Sequence, residues 1–343
     1  MRGSTLMTVI LENVSFPAGV HCETTALGAL LRHEGVELSE PMLFGLGEGL
    51  GFVYWDAKNL DFPFLGGRSK PAAITRTVAD RLGLTLQVQE TASPRKAWQN
   101  VTTALAAGRP VGLQLDSYHL EYFTTKVHFG GHFVAMYGYD DTLAYLVDTA
   151  QQGGTVTTSL ASLERARAER GPMTARNLSY TITGPVTLDL GDAVRKSIVG
   201  NADTFLNPPI ANLGHRGIGK AARQITRWLD RSGAPSRDLP LAATLMERGG
   251  TGGSLFRTMY RDFLAEATTI VDDDNLRRGH ELYADIAPLW TEVAHHVTAA
   301  GETGDPEHLT RASAILTELA DSERHAMQVL SGIRIGRDRE SRA

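Results

Sequence analysis

The sequence predicts an α+β protein of two domains, a mixed domain over residues 1–186 and a mostly helical domain over residues 187–343. Up to about residue 186, short apolar runs of strand length stand between helical patterns. After about residue 190, the apolar residues recur at helical spacing. Gly184 and Pro185 lie at the change, and such residues commonly separate domains. With 42% hydrophobic residues among 343, each half has enough apolar material for a core.

The first domain is predicted to combine three helices with five strands. The helices are expected at residues 23–34, 72–82 and 98–107, and the strands at 85–89, 111–115, 133–137, 144–147 and 179–182. Gly and Asp residues at 138–142 favour a turn between two of these strands. The pattern therefore predicts an antiparallel hairpin that starts near residue 133 and returns to residue 147.

The second domain is predicted to contain helices at residues 218–229, 255–272, 275–299 and 306–330. Three aspartates at 272–274 precede Asn275, where carboxylates cap a helix and interact favourably with its dipole. His295 and His296 are adjacent on one helix and therefore point in different directions, which is poor geometry for one ion. We therefore expect no metal and no cofactor bound by the chain itself.

Composition excludes several classes of function. The formal net charge of −5 argues against a nucleic-acid-binding protein, because phosphate contacts require concentrated positive charge. The first ten residues lack the apolar core of a signal peptide, and no stretch reaches the roughly 18–20 apolar residues of a membrane span. The single cysteine excludes an intrachain disulfide and is typical of a reducing compartment. We therefore expect a cytoplasmic protein without a membrane partner; its oligomeric state stays open.

The single cysteine, Cys22, immediately precedes the first predicted helix. A thiol at a helix N-terminus faces unpaired backbone N–H groups and the positive end of the helix dipole, and both favour the nucleophilic thiolate. A small buried hydrophobic residue is the alternative interpretation, since free cysteine is among the most buried residue types.

A cysteine nucleophile requires a base, and the base requires a third group that orients it. His132 stands at the start of the predicted hairpin and Asp148 at its end, so the fold of the hairpin brings the two positions to the same open end. Taken singly, His132 fits a structural histidine and Asp148 a turn carboxylate; together with Cys22 they predict a catalytic triad. His128 is the reserve base. Asp140 and Asp141 are better explained as turn residues.

Several motifs resemble those of the butirosin biosynthesis protein H family. In the first half they are residues 21–27 (HCETTAL), 44–52 (FGLGEGLGF) and 131–141 (GHFVAMYGYDD). In the second half they are residues 253–264 (GSLFRTMYRDFL) and 283–290 (YADIAPLW), which resemble the helical domain that often accompanies the first. The resemblance thus covers nearly the whole chain, although each motif is short.

The resemblance implies a papain-like catalytic domain, followed by a helical domain that acts as a lid or as a docking surface for a carrier protein. It also implies acyl transfer from the phosphopantetheine thioester of an acyl carrier protein to a small-molecule amine, in antibiotic or other natural-product biosynthesis. Cys22 would be the acylated nucleophile, His132 the base and Asp148 its orienting group. Papain-like peptidases usually carry a Gln before the cysteine for the oxyanion hole. Residues 12–21 contain none, so Asn13 or the backbone N–H of Cys22 would have to serve.

Two further patterns allow a functional and a structural interpretation. The glycine run at 44–52 fits no dinucleotide fingerprint; it either lets the backbone approach an acyl chain or forms a tight connection. The second pattern is a set of basic residues at spacings of four and three, which lie on one face if residues 216–231 form a single helix: Arg216, Lys220, Arg223, Arg227 and Arg231. They either attract an acidic carrier protein or form a solvated helix face.

Three functions compete at this stage. The leading one is cysteine-dependent acyl transfer from a thioester to an amine, and the second is a papain-like cysteine hydrolase or peptidase that uses the same residues with water as acceptor. The third is a binding module in which Cys22 is merely packed. These hypotheses differ in whether Cys22 becomes acylated and in what resolves the acyl-enzyme.

Overall fold

The computed structural model of the chain describes residues 8–16, 19–57, 60, 62–171, 173–249 and 253–335. The strands are β1 (Val9–Ile10), β2 (Leu50–Trp55), β3 (Phe64–Arg68), β4 (Thr85–Gln89), β5 (Val111–Leu115), β6 (His132–Tyr139), β7 (Leu143–Val147), β8 (Thr155–Ser159) and β9 (Ser179–Thr183). The helices are α1 (Cys22–His33), α2 (Glu40–Leu46), α3 (Ala73–Leu82), α4 (Pro94–Ala106), α5 (Leu160–Ala168), α6 (Leu190–Leu206), α7 (Gly214–Ile225), α8 (Trp228–Arg231), α9 (Pro235–Glu247), α10 (Ser254–Thr268), α11 (Asp274–Thr303) and α12 (Pro306–Ser331).

The chain divides into two compact units, and the division confirms an α+β protein with a sheet-containing first part and a mostly helical second part. The first unit comprises Met1–Leu43 and Ile74–Thr187, and the second comprises Phe44–Ala73 and Leu188–Ala343. The first unit ends at Thr187, and the predicted domain boundary lies near residue 186. Residues 44–73 differ from the prediction of a continuous first domain, because they pack with the helices of the second unit.

The first unit is built on a seven-stranded antiparallel sheet. Six of its strands follow the order β4-β9-β5-β6-β7-β8, and the seventh, β1, pairs with the C-terminal end of β6. Strands β5 and β6 are central and largely buried, which explains why both read as continuous apolar runs. Helix α1 packs against β6. Helices α4 and α5 supply Val101, Leu105 and Leu163 to a core that includes Leu113 and Val134 of the sheet. The five predicted strands are all present.

Helix α1 begins one residue before its predicted start, and Gly35 follows it in the left-handed backbone conformation that glycine favours. Helix α4 begins four residues earlier than predicted. Ser93 caps it by accepting a hydrogen bond from the Lys96 N–H, and Pro94 occupies its first turn. Short elements with weak periodicity escaped prediction, such as β8 and α5.

The second unit joins the hairpin β2–β3 to helices α6–α12. Two side-chain amides fasten β2 to the helical part of this unit. Buried Asn201 of α6 donates to the Leu50 carbonyl at 2.7 Å, and half-buried Asn212, just before α7, donates to the Tyr54 carbonyl at 2.9 Å. Because buried carbonyls at a strand edge require partners, these bonds hold residues 44–73 in this unit. The long helices α11 and α12 follow one another through Gly304 and an Asp305 cap.

The predicted helices at 255–272, 275–299 and 306–330 correspond to α10, α11 and α12. Asp273 caps α11 by accepting hydrogen bonds from the N–H groups of Asn275 and Leu276, which confirms the capping interpretation of the three aspartates. The predicted helix at 218–229 is wrong in its extent, since α7 ends at Ile225 and α8 begins at Trp228. No helix in the described part of the chain has both the length and the apolar character needed to cross a membrane.

The glycine run at 44–52 comprises the end of α2, a three-residue turn at 47–49 and the start of β2. A Cβ on Gly45 would lie 2.0 Å from the ring of Phe263, and one on Gly51 would lie 3.0 Å from the backbone of Arg68. These glycines therefore permit close packing within the second unit, which supports the structural interpretation of the run.

Candidate active site

Cys22 is the first residue of α1 and its thiol is half-buried. The segment before it is held in place at both ends. The carbonyl of Gly19 accepts a hydrogen bond from the Ala150 N–H at 2.7 Å, and the N–H groups of Val20 and His21 donate to the Glu40 carboxylate at 2.8 and 2.9 Å. The hydrogen-bonded segment 19–21 thus fixes the sulfur at a helix N-terminus. Cys22 remains partly exposed to solvent.

His132 and Asp148 meet as the hairpin predicts. Val147 pairs with Ala135, so Asp148 continues one step further, diagonally across from His132 on the same sheet face. Nε2 of His132 lies 2.8 Å from Oδ2 of Asp148, and both side chains are buried. The turn is fixed by Asp140, whose Oδ1 accepts from the N–H groups of Thr142 and Leu143.

Cys22 is, after Asp148, the second group that raises the pKa of His132. Since Nε2 faces Asp148, Nδ1 is the ring nitrogen left for the sulfur. Burial lowers the pKa of His132, but the charge and hydrogen bond of Asp148, together with Cys22, raise it from 6.5 to about 10. Asp148 and Cys22 therefore both stabilise the imidazolium form of His132.

Sequence patterns did not indicate two aromatic residues that complete the site. The Tyr122 hydroxyl donates to Oδ2 of Asp148 at 2.8 Å, and the ring of Phe123 meets the His132 ring edge-on at a centroid distance of 5.2 Å. The Thr149 N–H donates to Oδ1 of Asp148 at 2.6 Å. Three donors thus satisfy a buried carboxylate, as its burial requires.

Two family models match this chain, one after the other. The family model described as butirosin biosynthesis protein H, N-terminal, matches residues 21–149, and the one described as domain of unknown function (DUF4872) matches residues 161–330. The chain belongs to the butirosin biosynthesis protein H-like family. The first match begins at His21 and ends at Thr149, so it encloses Cys22, His132 and Asp148. No curated protein matches the chain significantly.

The first family model is named for a protein of butirosin biosynthesis, and membership in this family indicates a biosynthetic enzyme. It does not by itself identify the reaction. The geometry of Cys22, His132 and Asp148, which the family model encloses, bears on the reaction more directly.

Two alternative site residues lie elsewhere. His128, the reserve base, has its Nδ1 3.3 Å from Oδ2 of Asp116 and is not part of the His132–Asp148 pair. Asn13 follows β1 as an exposed residue in left-handed backbone, and within the described ranges no hydrogen bond links it to Cys22. The Cys22 N–H, in the first turn of α1, remains the better placed of the two oxyanion donors considered for this chain.

The predicted basic face does not form on a single helix, because the break at residues 226–227 separates α7 from α8. Arg231 is occupied by an ion pair with Asp56 at 3.3 Å, and Lys220 donates to Asn212 at 3.0 Å. Arg216 and Arg223 on α7 are exposed, and so is Arg227 in the break between the two helices. Any attraction of an acidic partner by this surface therefore depends on fewer charges than the sequence predicted.

Replacing Asp148 by Asn is expected to lower the pKa of His132 from about 10 toward its ordinary 6.5. The substitution removes the negative charge that raises this pKa against the lowering effect of burial. NMR titration of the His132 ring, assigned with a His132→Gln spectrum, measures this shift. Asp116→Asn is the matched control, since it removes a carboxylate beside a different histidine and should leave His132 unchanged. Titration of His132 near 6.5 in the wild-type protein contradicts the assigned geometry.

The same shift links stability to pH. A pKa raised in the folded state means that the proton on His132 stabilises the fold. This contribution is complete below pH 6.5 and is lost as the pH rises toward 10, so Asp148→Asn should flatten the alkaline decline in the free energy of unfolding.

Replacing Tyr122 by Phe is expected to lower the free energy of unfolding by about 1.5–3 kcal/mol, because a buried carboxylate loses one charge-assisted hydrogen bond. Urea unfolding measures the change. Tyr145→Phe is the matched control: Tyr145 also donates to an aspartate, Asp140, at 2.8 Å, but in a surface turn where water replaces the bond. Equal losses for the two variants would show that Asp148 does not depend on Tyr122.

Proposed function

We propose that this protein is a cysteine-dependent acyltransferase that moves an acyl group from a carrier-protein thioester to an amine. The observation that carries the proposal is the hydrogen-bonded pair of His132 and Asp148 beside the half-buried thiol of Cys22. A nucleophile, a base and an orienting carboxylate in contact are the arrangement of acyl transfer through a covalent intermediate.

In the first half-reaction, the Cys22 thiolate attacks the carbonyl carbon of the donor thioester. The bond between that carbon and Cys22 Sγ forms, the bond to the carrier sulfur breaks, and the His132 imidazolium protonates the departing carrier thiolate. A raised pKa suits His132 to this acid role, since it keeps the proton available at neutral pH.

In the second half-reaction, the neutral imidazole of His132 takes a proton from the acceptor amine as its nitrogen attacks the Cys22 thioester. The amide bond forms and Cys22 leaves as a thiolate, so the starting thiolate–imidazolium pair is restored. Asp148 holds the ring through Nε2 in both half-reactions. The backbone N–H of Cys22 can stabilise the negative oxygen of each tetrahedral intermediate.

The family supports the biosynthetic side of the proposal, since its first model is named for a protein of butirosin biosynthesis. From the resemblance to this family we infer a donor carried on phosphopantetheine, an amide product of antibiotic or other natural-product biosynthesis and a papain-like catalytic fold. Exposed Arg216 and Arg223 on α7 offer charge that suits an acidic carrier protein. A fall in the acylation rate with added salt, larger in wild type than in Arg216→Ser/Arg223→Ser, tests that docking.

Intact-mass measurement after mixing the protein with an acylated carrier protein tests the covalent step. The wild-type mass is expected to rise by one acyl group, and the Cys22→Ala mass to stay unchanged. The proposal is overturned if carrier proteins loaded separately with several different acyl groups all leave no adduct on the wild-type protein.

Adding an amine then separates transfer from hydrolysis. Transfer predicts that the adduct decays faster with amine and that an amide accumulates. Decay at the same rate with and without amine, giving the free acid, identifies a papain-like hydrolase that uses the same residues.

A further inference from the structure

A second group of titratable side chains converges outside the proposed active site. His119, His128 and Glu169 each offer one ligand atom, and these atoms all lie within 4.8 Å of one another. We call these three residues the imidazole–carboxylate cluster. Neither the proposed reaction nor the family comparison assigns it a role.

The fold brings His119 and Glu169 together through bonded elements. His119 ends the short 3-10 turn Ser117–His119, and Glu169 follows α5. Ser162 of α5 donates to the His119 carbonyl at 2.5 Å, which fastens the turn to the helix. The Arg170 N–H occupies Oε1 of Glu169 at 3.0 Å, so Oε2 is directed to Nε2 of His119 at 2.6 Å.

His128 is oriented by a carboxylate of its own. Its Nδ1 lies 3.3 Å from Oδ2 of Asp116, whose side chain is 7% exposed, and Oδ1 of the same carboxylate accepts from the Tyr118 N–H at 2.9 Å. The Tyr118 ring stacks on the His128 ring at a centroid distance of 4.0 Å. A carboxylate that holds one ring nitrogen fixes the tautomer and leaves the other nitrogen basic, as in carboxylate–histidine–metal arrangements.

We propose that the imidazole–carboxylate cluster binds a divalent transition-metal ion, with Zn²⁺ as its reference ligand. Two imidazole nitrogens and one carboxylate oxygen form a donor set that suits Zn²⁺, whereas Mg²⁺ and Ca²⁺ prefer oxygen ligands throughout. Three protein ligands leave a fourth position for water. Ligand atoms around tetrahedral Zn²⁺ lie roughly 3.4 Å apart. An ion would therefore separate Nε2 of His119 from Oε2 of Glu169, now 2.6 Å apart, and draw in His128, the most exposed member at 59%.

The ion has a bracing role. Residues 116–131 connect β5 to β6, and besides His119 and His128 they carry Tyr122 and Phe123, which contact Asp148 and His132. An ion shared with Glu169 fastens this connection to the end of α5. It thereby restrains the segment that holds the Tyr122 hydroxyl against Asp148. The ion itself does not coordinate Cys22, His132 or Asp148.

Metal binding is measured in a Cys22→Ser background, because a thiol beside an imidazole also binds Zn²⁺. Titration against a chromophoric chelator is expected to show one equivalent of Zn²⁺. The affinity is expected to fall at least about 100-fold in His128→Gln and in Glu169→Gln, since loss of an outer-shell partner alone costs about 10–100-fold. Asp116→Asn, which removes only the outer carboxylate, is expected to cost about tenfold.

His296→Gln is the matched control, because His296 and His308 form another close imidazole pair with their Nδ1 atoms 3.2 Å apart. Its Zn²⁺ affinity is expected to equal that of the background. Co²⁺ gives a second readout in the wild-type protein, which retains Cys22. Binding at the imidazole–carboxylate cluster is expected to give visible d–d bands without the charge-transfer band of a Co²⁺–sulfur bond. Unchanged affinity in both His128→Gln and Glu169→Gln, loss confined to His296→Gln, or no binding of Zn²⁺ at all overturns the proposal.

Discussion

Replacing Cys22 by Ala is expected to lower the rate of acyl transfer by roughly 10⁴–10⁶-fold. The loss is this large because no other cysteine exists in the chain to take its place. The variant would then exceed the uncatalysed rate in water only through substrate binding and stabilisation of the tetrahedral intermediate. Single-turnover transfer from a loaded carrier protein to an amine measures the rate. A Cys22→Ala variant that keeps even a tenth of the wild-type rate would rule out the covalent route.

Replacing His132 by Ala is expected to cost nearly as much, and the double variant is expected to be no slower than Cys22→Ala alone. Residues that act as one unit are not additive, since the thiolate is of little use without its imidazole partner. His33→Gln is the control for histidine substitution: His33 lies at the other end of α1, where it bonds to the Gly108 carbonyl at 2.9 Å. It should stay within a few-fold of wild type. Additive losses in the double variant would instead assign Cys22 and His132 to separate steps.

The core of this site was predictable because each of its elements is defined locally. Helical periodicity after Cys22, capped by Gly35, fixed the position of the thiol at the start of α1. Two apolar runs around a Gly- and Asp-containing turn fixed the hairpin, and the hairpin alone brings His132 and Asp148 to one end. Local patterns thus predicted which residues meet, although their catalytic roles stay a proposal.

The supporting residues were not predictable in the same way. Tyr122 lies in the long connection between β5 and β6, which has no periodic pattern. Glu40, whose carboxylate receives the N–H groups of Val20 and His21, is an unremarkable acidic residue at the start of α2. Their contacts depend on tertiary packing over some 20 residues of chain or more, and a single sequence contains no signal for that.

The helical motifs that resemble the family take on a structural meaning. Residues 253–264 contain Arg257 and residues 283–290 contain Trp290, and both residues are fully buried in the second unit. They converge on Glu323 of α12: Arg257 donates from Nε and Nη2 at 3.0 and 2.9 Å, and Trp290 donates from Nε1 at 2.6 Å. These motifs therefore specify a buried polar cluster that holds α10, α11 and α12 together.

Replacing Glu323 by Ala is expected to destabilise the second unit by about 3–5 kcal/mol. The guanidinium of Arg257 would stay buried among aromatic rings, 4.6 Å from the Trp290 centroid and 5.8 Å from that of Phe52, with the Gly67 carbonyl at 3.3 Å as its remaining acceptor. An uncompensated charge in such surroundings costs several kcal/mol. Urea unfolding followed by tryptophan fluorescence suits the measurement, because three of the four tryptophans, Trp55, Trp228 and Trp290, lie in this unit.

A rescue experiment separates the buried charge from simple loss of packing. If the destabilisation comes from the unpaired guanidinium, Arg257→Met/Glu323→Leu should recover most of the free energy of unfolding, because apolar residues of similar volume replace a buried pair well. Glu307→Gln is the control for removal of a carboxylate from α12, since its pair with Arg311 is more than half exposed and should contribute little. If the double variant is no more stable than Glu323→Ala, the ion pair is required for how these three helices pack and cannot be replaced by apolar volume.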